Sequence, residues 1–387
     1  MREFVLSQFV NSIEPSATMA IDGKAKKLQA EGKKIYNFSA GEPDFPTPKN
    51  IKEAGIRAIQ NNLTKYTPVR GMPKLLEVIC QKLQRDNNLS YTPEEIIVGN
   101  GAKEVLYLAI RTICEIGDEI ILPAPYWVSF SEQIKLVGGK PVIIKSNDFR
   151  LPIQQIKEVI TKRTKAIIIN SPNNPTGIVY SLAELESLAE IVLKNEILVI
   201  TDEIYEKLLY DGAKHFSFAS LKPELKDYTI TINGVSKSYS MTGWRIGYGG
   251  APKYIIQKMA DLKSHLSTNA CSISQVASIE ALLGDQESIQ EMITAYDERR
   301  RYICQEFRKQ GIEFIKPQGA FYVFFKVSPK FDSLKFCERI LEEFQVALVP
   351  GEAFGVSGWI RLSYAVNFDD LKEGIKRIIK RIETLFV

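Results

Sequence analysis

The chain has 387 residues, 45% hydrophobic and 25% charged, with 50 basic and 46 acidic side chains and a formal charge of +4. That length exceeds what one hydrophobic core usually supports, so two domains are expected. The composition excludes a disordered or collagen-like chain, and the near balance of charge, without a long basic run, excludes a nucleic-acid arm. No two of the five cysteines stand closer than 33 positions apart, so no paired-cysteine redox or zinc motif can be drawn. Only His215 and His265 are left to complete a metal site, and none is expected. Scattered free thiols fit a reducing compartment. Met1–Pro15 holds no continuous apolar segment, and runs such as Ala166–Ile169 are too short to span a bilayer. A soluble, cytoplasmic protein with no nucleic-acid or membrane partner is expected.

In chain order, helical periodicity covers Ala20–Ala30 and is followed by Gly41-Glu-Pro-Asp-Phe-Pro-Thr-Pro48, a loop dense in turn formers. From about residue 50 to 280, amphipathic stretches alternate with β-rich runs at Glu95–Val98, Glu119–Leu122, Pro141–Ile144, Lys165–Ile169, Ile197–Thr201, Thr229–Ile232 and Arg245–Gly249. This is the pattern of a largely parallel sheet covered by helices, an α/β fold. Ser181-Leu-Ala-Glu184 is a capping box that opens a helix running to about Lys194. After about residue 281 come a long charged helix over Glu287–Gln310, then strand, helix, strand, strand and a last helix from Phe368. The division expected is a large domain over 46–280 and a smaller α+β domain made of 1–45 with 281–387.

Four connections within this pattern carry chemistry. Gly99-Asn-Gly-Ala-Lys-Glu104 joins a strand to a helix, so its backbone amides can hold a phosphate at the helix N-terminus; alone it is an ordinary turn. Asn170-Ser-Pro-Asn-Asn-Pro-Thr-Gly177 is built of turn residues, and Asn174 is its candidate ligand contact, with Asn173 left to the turn. Thr201-Asp-Glu-Ile-Tyr205 follows an apolar strand, where open α/β sheets place ligands. Asp202 there is either a helix cap or the partner of a ring nitrogen. Gly234–Tyr248 is a polar, glycine-containing loop centred on Lys237. That lysine is either a solvated loop residue or, desolvated among small and aromatic neighbours, a nucleophile toward carbonyls.

Together these segments resemble the class I and II aminotransferases of the aspartate aminotransferase fold, and within them the Thermus-type bacterial branch. The resemblance rests on Ser-Lys-Ser-Tyr-Ser-Met-Thr-Gly-Trp-Arg around Lys237, Ser-Ala-Gly-Glu-Pro-Asp-Phe at 39–45, Lys-Tyr-Thr-Pro at 65–68, Pro-Tyr-Trp at 125–127, Asn-Asn-Pro-Thr-Gly at 173–177, Asp-Glu-Ile-Tyr at 202–205 and Arg-Leu-Ser-Tyr at 361–364. They stand in the family's order and span nearly the whole chain. The resemblance implies the fold of pyridoxal-phosphate-dependent transferases, a large, mostly parallel sheet domain with a smaller α+β one. It also implies pyridoxal 5'-phosphate as cofactor, held by Lys237 as a Schiff base. By the same resemblance Asp202 partners the pyridine nitrogen, Asn174 and Tyr205 the ring oxygen, and Trp127 stacks on the ring. Gly101, Ala102, Lys103, Ser236 and Arg245 fall at or near the cofactor, and Tyr66 reaches the phosphate of the other subunit of a homodimer with shared active sites. Arg361 and Gly41 bind the substrate α-carboxylate, and the planar fork of Arg361 suits that group better than a lysine would. One departure is Gly234, which stands where many relatives carry a phosphate-binding serine.

The implied reaction is ping-pong amino transfer between an amino acid and a 2-oxo acid. Lys103 points to aspartate with 2-oxoglutarate, because a lysine at that position in the similar branch helps bind the distal carboxylate. Alternatives left open are aminotransferases for aromatic or neutral amino acids or for prephenate, and a β-lyase on the same fold. More remote is a non-enzymatic regulator, for which no winged-helix module fits before the first motif. A hydrolase is excluded by the lack of a Gly-x-Ser-x-Gly elbow and of a histidine in any motif. Relatives that accept prephenate tend to carry a basic residue just before the Pro15-Ser-Ala-Thr segment, where this chain has Glu14. An acidic group there repels a dicarboxylate, so prephenate turnover should be weak or absent in a side-by-side assay with oxaloacetate; comparable rates would refute the inference.

Overall fold

The computed structural model describes residues 4–11, 13, 15–327 and 332–383; Glu14 lies outside them. Its central sheet has seven strands in the spatial order Ile96–Asn100, Ile246–Gly250, Thr229–Gly234, Leu198–Asp202, Thr164–Asn170, Glu119–Ala124, Lys140–Lys145. The pleat sends alternate residues to opposite faces. Two adjacent central strands illustrate this: Ala166, Ile168 and Ile200 pack beneath the Ala102–Ile113 and Lys253–Leu266 helices, whereas Ile167, Ile169 and Val199 pack beneath Leu182–Asn195. Covered on both faces, these two strands carry the unbroken apolar runs Ala166–Ile169 and Leu198–Ile200, as buried parallel strands do.

One strand departs from the parallel expectation. Ile246–Gly250 runs antiparallel to both neighbours, Thr229–Gly234 and Ile96–Asn100. The loop 235–245 is too short for the dozen or more residues, usually helical, that a parallel crossover needs. That short return carries Lys237 across the end of the sheet.

Beyond the sheet, a four-stranded antiparallel layer orders Val349–Pro350, Trp359–Ser363, Tyr322–Lys326 and Phe314–Ile315, with the helices Glu287–Lys309, Ser333–Phe344 and Phe368–Glu383 around it. Tyr36–Asn37 adds a parallel pair with Val346–Ala347, which ties the segment before the Gly41 loop to this layer. The core here includes Phe38, Tyr296, Phe325 and Ile375, and it also takes in Ile204, Tyr205 and Leu208 from beyond the central sheet.

The Ala102–Ile113 helix sits on the sheet at a point where backbone meets backbone. A Cβ on Gly247 would collide with the amide of Ala102, and one on Gly234 would lie 3.0 Å from the Gly247 Cα. The glycine at 234 is thus part of the close packing under this helix. Gly247→Ala should cost about 1–3 kcal/mol through this overpacking, read as a lower denaturation midpoint with unchanged slope in guanidinium.

Candidate active site

The ends of adjacent parallel strands place Asn170 beside Asp202 in register. The Asn170 amide donates to the Asp202 carbonyl at 2.9 Å, and its Oδ1 accepts from the Asn174 N–H at 2.8 Å, so the turn is pinned to the strand end. Asp202 is buried, and its carboxylate accepts the Ile204 N–H at 3.2 Å. Burial pushes its pKa up to about 7; the neighbouring Glu203 adds to the rise, while the Ile204 N–H and the Lys237 charge oppose it. Lys237 reaches the same space from the short loop, and its Nζ donates to the Gly41 carbonyl at 2.5 Å. Burial lowers its pKa to about 8, helped by the like charges of Arg245 and Arg361 and opposed by Glu42 and Asp202.

Arg361 comes from the antiparallel layer. Its guanidinium donates to Asn174 Oδ1 at 3.0 Å and to the Ser39 carbonyl at 2.6 Å, and it lies over the rings of Tyr322 and Phe354 at 4.6 and 5.1 Å. Its buried Nε has no hydrogen-bond partner among the described residues. A buried donor of this kind leaves room for an acceptor on a ligand. Tyr205 shares a hydrogen bond with Tyr322 at 2.8 Å, and burial raises both phenols above their ordinary range.

At the opposite wall the Ala102–Ile113 helix opens without a side-chain cap, which leaves its N-terminus to complement an anion. The Arg245 guanidinium lies against Gly101 and donates to the carbonyls of Asn100 at 3.3 Å and Thr242 at 3.0 Å. Lys103 holds its ammonium 4.8 Å from the Trp127 ring, and burial, reinforced by Arg245, lowers its pKa. These walls enclose a cavity of about 490 Å³. Gly41, Ala102, Lys103, Trp127, Asn174, Asp202, Tyr205, Ser236, Lys237, Arg245 and Arg361 all line it. Gly101 stands just behind, against Arg245, and Tyr66 lies apart from the cavity with 90% of its surface exposed.

The donor set fits a phosphorylated pyridine aldehyde. It offers an amine of depressed pKa, a buried carboxylate for a ring nitrogen, an indole for a ring face, and amides with a guanidinium for a phosphate. Sequence reasoning missed several lining groups. Tyr322 reads only as strand, because nothing in an aromatic-rich run marks which ring faces a cavity. Thr18, Met19, Asp22 and Lys26 on the Ala17–Ala30 helix also line the cavity, together with Glu42. Behind Asp202, His215 accompanies the motif after all. Its Nε2 is 3.1 Å from Glu203, in a buried network where Lys82 pairs with Glu206 and Asn87 bonds Glu206 and Ser217. Glu203, Glu206 and His215 bring their ligand atoms within 4.8 Å of one another, with the Lys82 ammonium supplying a positive charge to the group.

The family model for aminotransferases of class I and II matches residues 33–378. The chain is 48% identical to the aspartate aminotransferase of Bacillus sp. strain YM-2 over 97% of its own length and 98% of that protein. It is 43% identical to the aspartate/prephenate aminotransferase of Nitrosomonas europaea, covering 96% and 98% of the two chains. Among solved structures, the aspartate aminotransferase of Thermus thermophilus with maleate superposes with a TM-score of 0.93 at 40% identity, covering 98% of this chain and 100% of that one.

The raised pKa of Asp202 has a consequence for the cofactor-free protein. Between the ordinary value of 3.8 and about 7 the folded state binds a proton that the unfolded state has released, so the stability this group contributes is lost as pH rises through that window. Asp202→Asn keeps an acceptor for the Ile204 N–H and removes the titration. Its stability advantage over the parent should grow from pH 4 to 7 and level off above, reaching on the order of 2–4 kcal/mol in urea melts of cofactor-free protein. An advantage independent of pH would contradict the buried carboxylate.

Proposed function

The chain belongs to the class I and II aminotransferases, and from that membership we propose that it moves the amino group of aspartate to 2-oxoglutarate. It is an enzyme dependent on pyridoxal 5'-phosphate, which when bound supplies the electron-withdrawing pyridine ring on which amino transfer relies. The observation that carries the aspartate reading is the placement of Lys103 and Arg361 on one cavity. Two cations, one at the mouth over Trp127 and one at the far wall, suit the two carboxylates of a dicarboxylic substrate.

In this reading Arg361 takes the α-carboxylate in a bidentate grip, with the Gly41 backbone beside it, and Lys103 takes the distal carboxylate. Lys237 Nζ anchors the cofactor between turnovers and, once displaced by the substrate amine, removes the proton from the substrate Cα. A pKa of about 8 leaves a useful fraction of that amine neutral near physiological pH. Asp202 pairs with a protonated ring nitrogen, which supplies the positive charge its buried carboxylate otherwise lacks. Asn174 and Tyr205 hold the ring oxygen, and Trp127 covers one ring face and excludes water there. Ala102, Gly101, Ser236 and Arg245 hold the phosphate.

The exposed Tyr66 belongs, in this proposal, to the phosphate site of a second copy. The exposed Ile56, Ile59 and Leu63, from the preceding helix and turn, support a homodimer with shared active sites, which the proposal places in the cytoplasm. The domains divide as 46–280 and 1–45 with 281–387, so that the two carboxylate contacts Gly41 and Arg361 both lie outside the larger one. Lys237→Ala should lose at least ~100-fold in oxaloacetate formation from aspartate, the contribution of a positioned acid/base group. Near-parental turnover would remove Lys237 from the chemistry.

A further inference from the structure

Under the loop that the proposed function gives to the cofactor phosphate lies a carboxylate. Glu104, in the first turn of the Ala102–Ile113 helix, folds back to accept the Asn100 N–H at 2.5 Å and its side-chain amide at 3.1 Å. Ser267 donates to the other oxygen. These bonds shape the turn, because they hold Asn100 at the point where strand gives way to helix. The same carboxylate opposes the loop's task, since a full negative charge close to the amides weakens their attraction for a phosphate that itself carries nearly two.

Lys263 stands on the other side of Glu104. Its side chain is fully buried, its Nζ is 3.6 Å from Glu104 Oε2, and it donates to Ser267 Oγ at 3.1 Å and to the Thr268 carbonyl. Burial raises the Glu104 carboxyl, but the Ser267 and Asn100 bonds and the Lys263 charge outweigh it and leave it below its ordinary value; burial lowers Lys263 against the pull of Glu104. Glu104 is thus held as a carboxylate, and the Lys263 side chain faces it at ion-pair distance. A fully buried lysine is costly unless it compensates a charge, and Glu104 is the carboxylate within reach.

We propose that Lys263 is a positioning residue for cofactor binding: it cancels the charge of Glu104, so that this carboxylate can shape the phosphate loop without repelling the phosphate. The inference rests on the assignment of the Gly101–Ala102 loop to that phosphate. A mere structural latch makes a different prediction, because breaking it from either side loosens the loop.

The test uses cofactor-free protein titrated with pyridoxal phosphate, with phosphate-free pyridoxal, and with inorganic phosphate followed by thermal shift. Lys263→Met should weaken pyridoxal phosphate and inorganic phosphate about 10-fold, the scale of one uncompensated charge near the site, and leave pyridoxal unchanged. Glu104→Gln keeps an acceptor for the Asn100 N–H and should tighten phosphate binding about threefold, and the double variant should return close to the parent. Equal effects on pyridoxal and its phosphate, or weaker phosphate binding by Glu104→Gln, would overturn the proposal; the second outcome stays readable if Lys263→Met does not fold. Arg245→Met run alongside separates the two readings. Lost phosphate binding there, with unchanged Lys263 and Glu104 variants, overturns the compensation alone, whereas no loss there overturns the phosphate loop and this proposal with it.

Discussion

An acid and a base, each held away from its ordinary pKa by burial, face one cavity: Asp202 at about 7 and Lys237 at about 8. Both shifts come first from burial, so the arrangement depends on the packing around Ile204 and on the covering antiparallel layer that keep the strand ends from water. The chemistry gains from this in opposite ways. The lysine becomes able to act as a nucleophile and base, and the aspartate is left in want of a cation, which makes a protonated pyridine a favourable occupant. Ion pairing between the two would defeat both ends. Lys237 instead donates to the Gly41 carbonyl, a neutral acceptor that a ligand can replace without leaving a buried charge unpaired.

The rest of the site is organised to bring distant charges together without collapsing them onto one another. Arg361 donates to Asn174 and to a backbone carbonyl and stacks on Tyr322 and Phe354, and no carboxylate among the described residues occupies its fork. Ser39 in turn bonds Asn37, and Asn37 bonds Asp22 on the Ala17–Ala30 helix, which lines the mouth. The loop on Gly41 is fixed from its other end as well, since Asp44 pairs with Arg299 at 2.9 Å. Asp22 at the cavity wall is itself paired with Lys26 at 2.8 Å, whereas Lys103, Arg245 and Arg361 line the cavity at the points that the proposal gives to the substrate's carboxylates and the cofactor's phosphate.

Much of this was legible in the amino-acid sequence, for identifiable reasons. The strand runs could be read from their apolar, β-rich composition, and strand ends and a short polar loop marked Asn174, Asp202 and Lys237 as candidates that the family resemblance then separated from ordinary turn, cap and loop residues. Direction was harder. That Ile246–Gly250 runs antiparallel depends on the length of its connection, not on its own residues. Tyr322 and Asp22 were invisible because their part in the cavity is decided by packing across the molecule, and an aromatic on an apolar strand or an aspartate on a polar helix reads the same whether or not it faces a cleft. The Lys82, Glu206 and His215 network was hidden for the same reason, its Lys82–Glu206 contact spanning 124 positions.

The bonds that close the cavity are among the most remote in sequence. Lys237 meets Gly41 across 196 positions, Arg361 meets Asn174 across 187, and Arg361 meets Ser39 across 322. Contacts of that span form only after the intervening chain has been gathered in, because each closure costs loop entropy that shorter contacts must first offset. A molecule whose antiparallel layer is not docked on the central sheet lacks Arg361 at the cavity and has no complete place for substrate. Grip on a substrate carboxylate through Arg361 is thus available only to chains whose two distant layers have already docked.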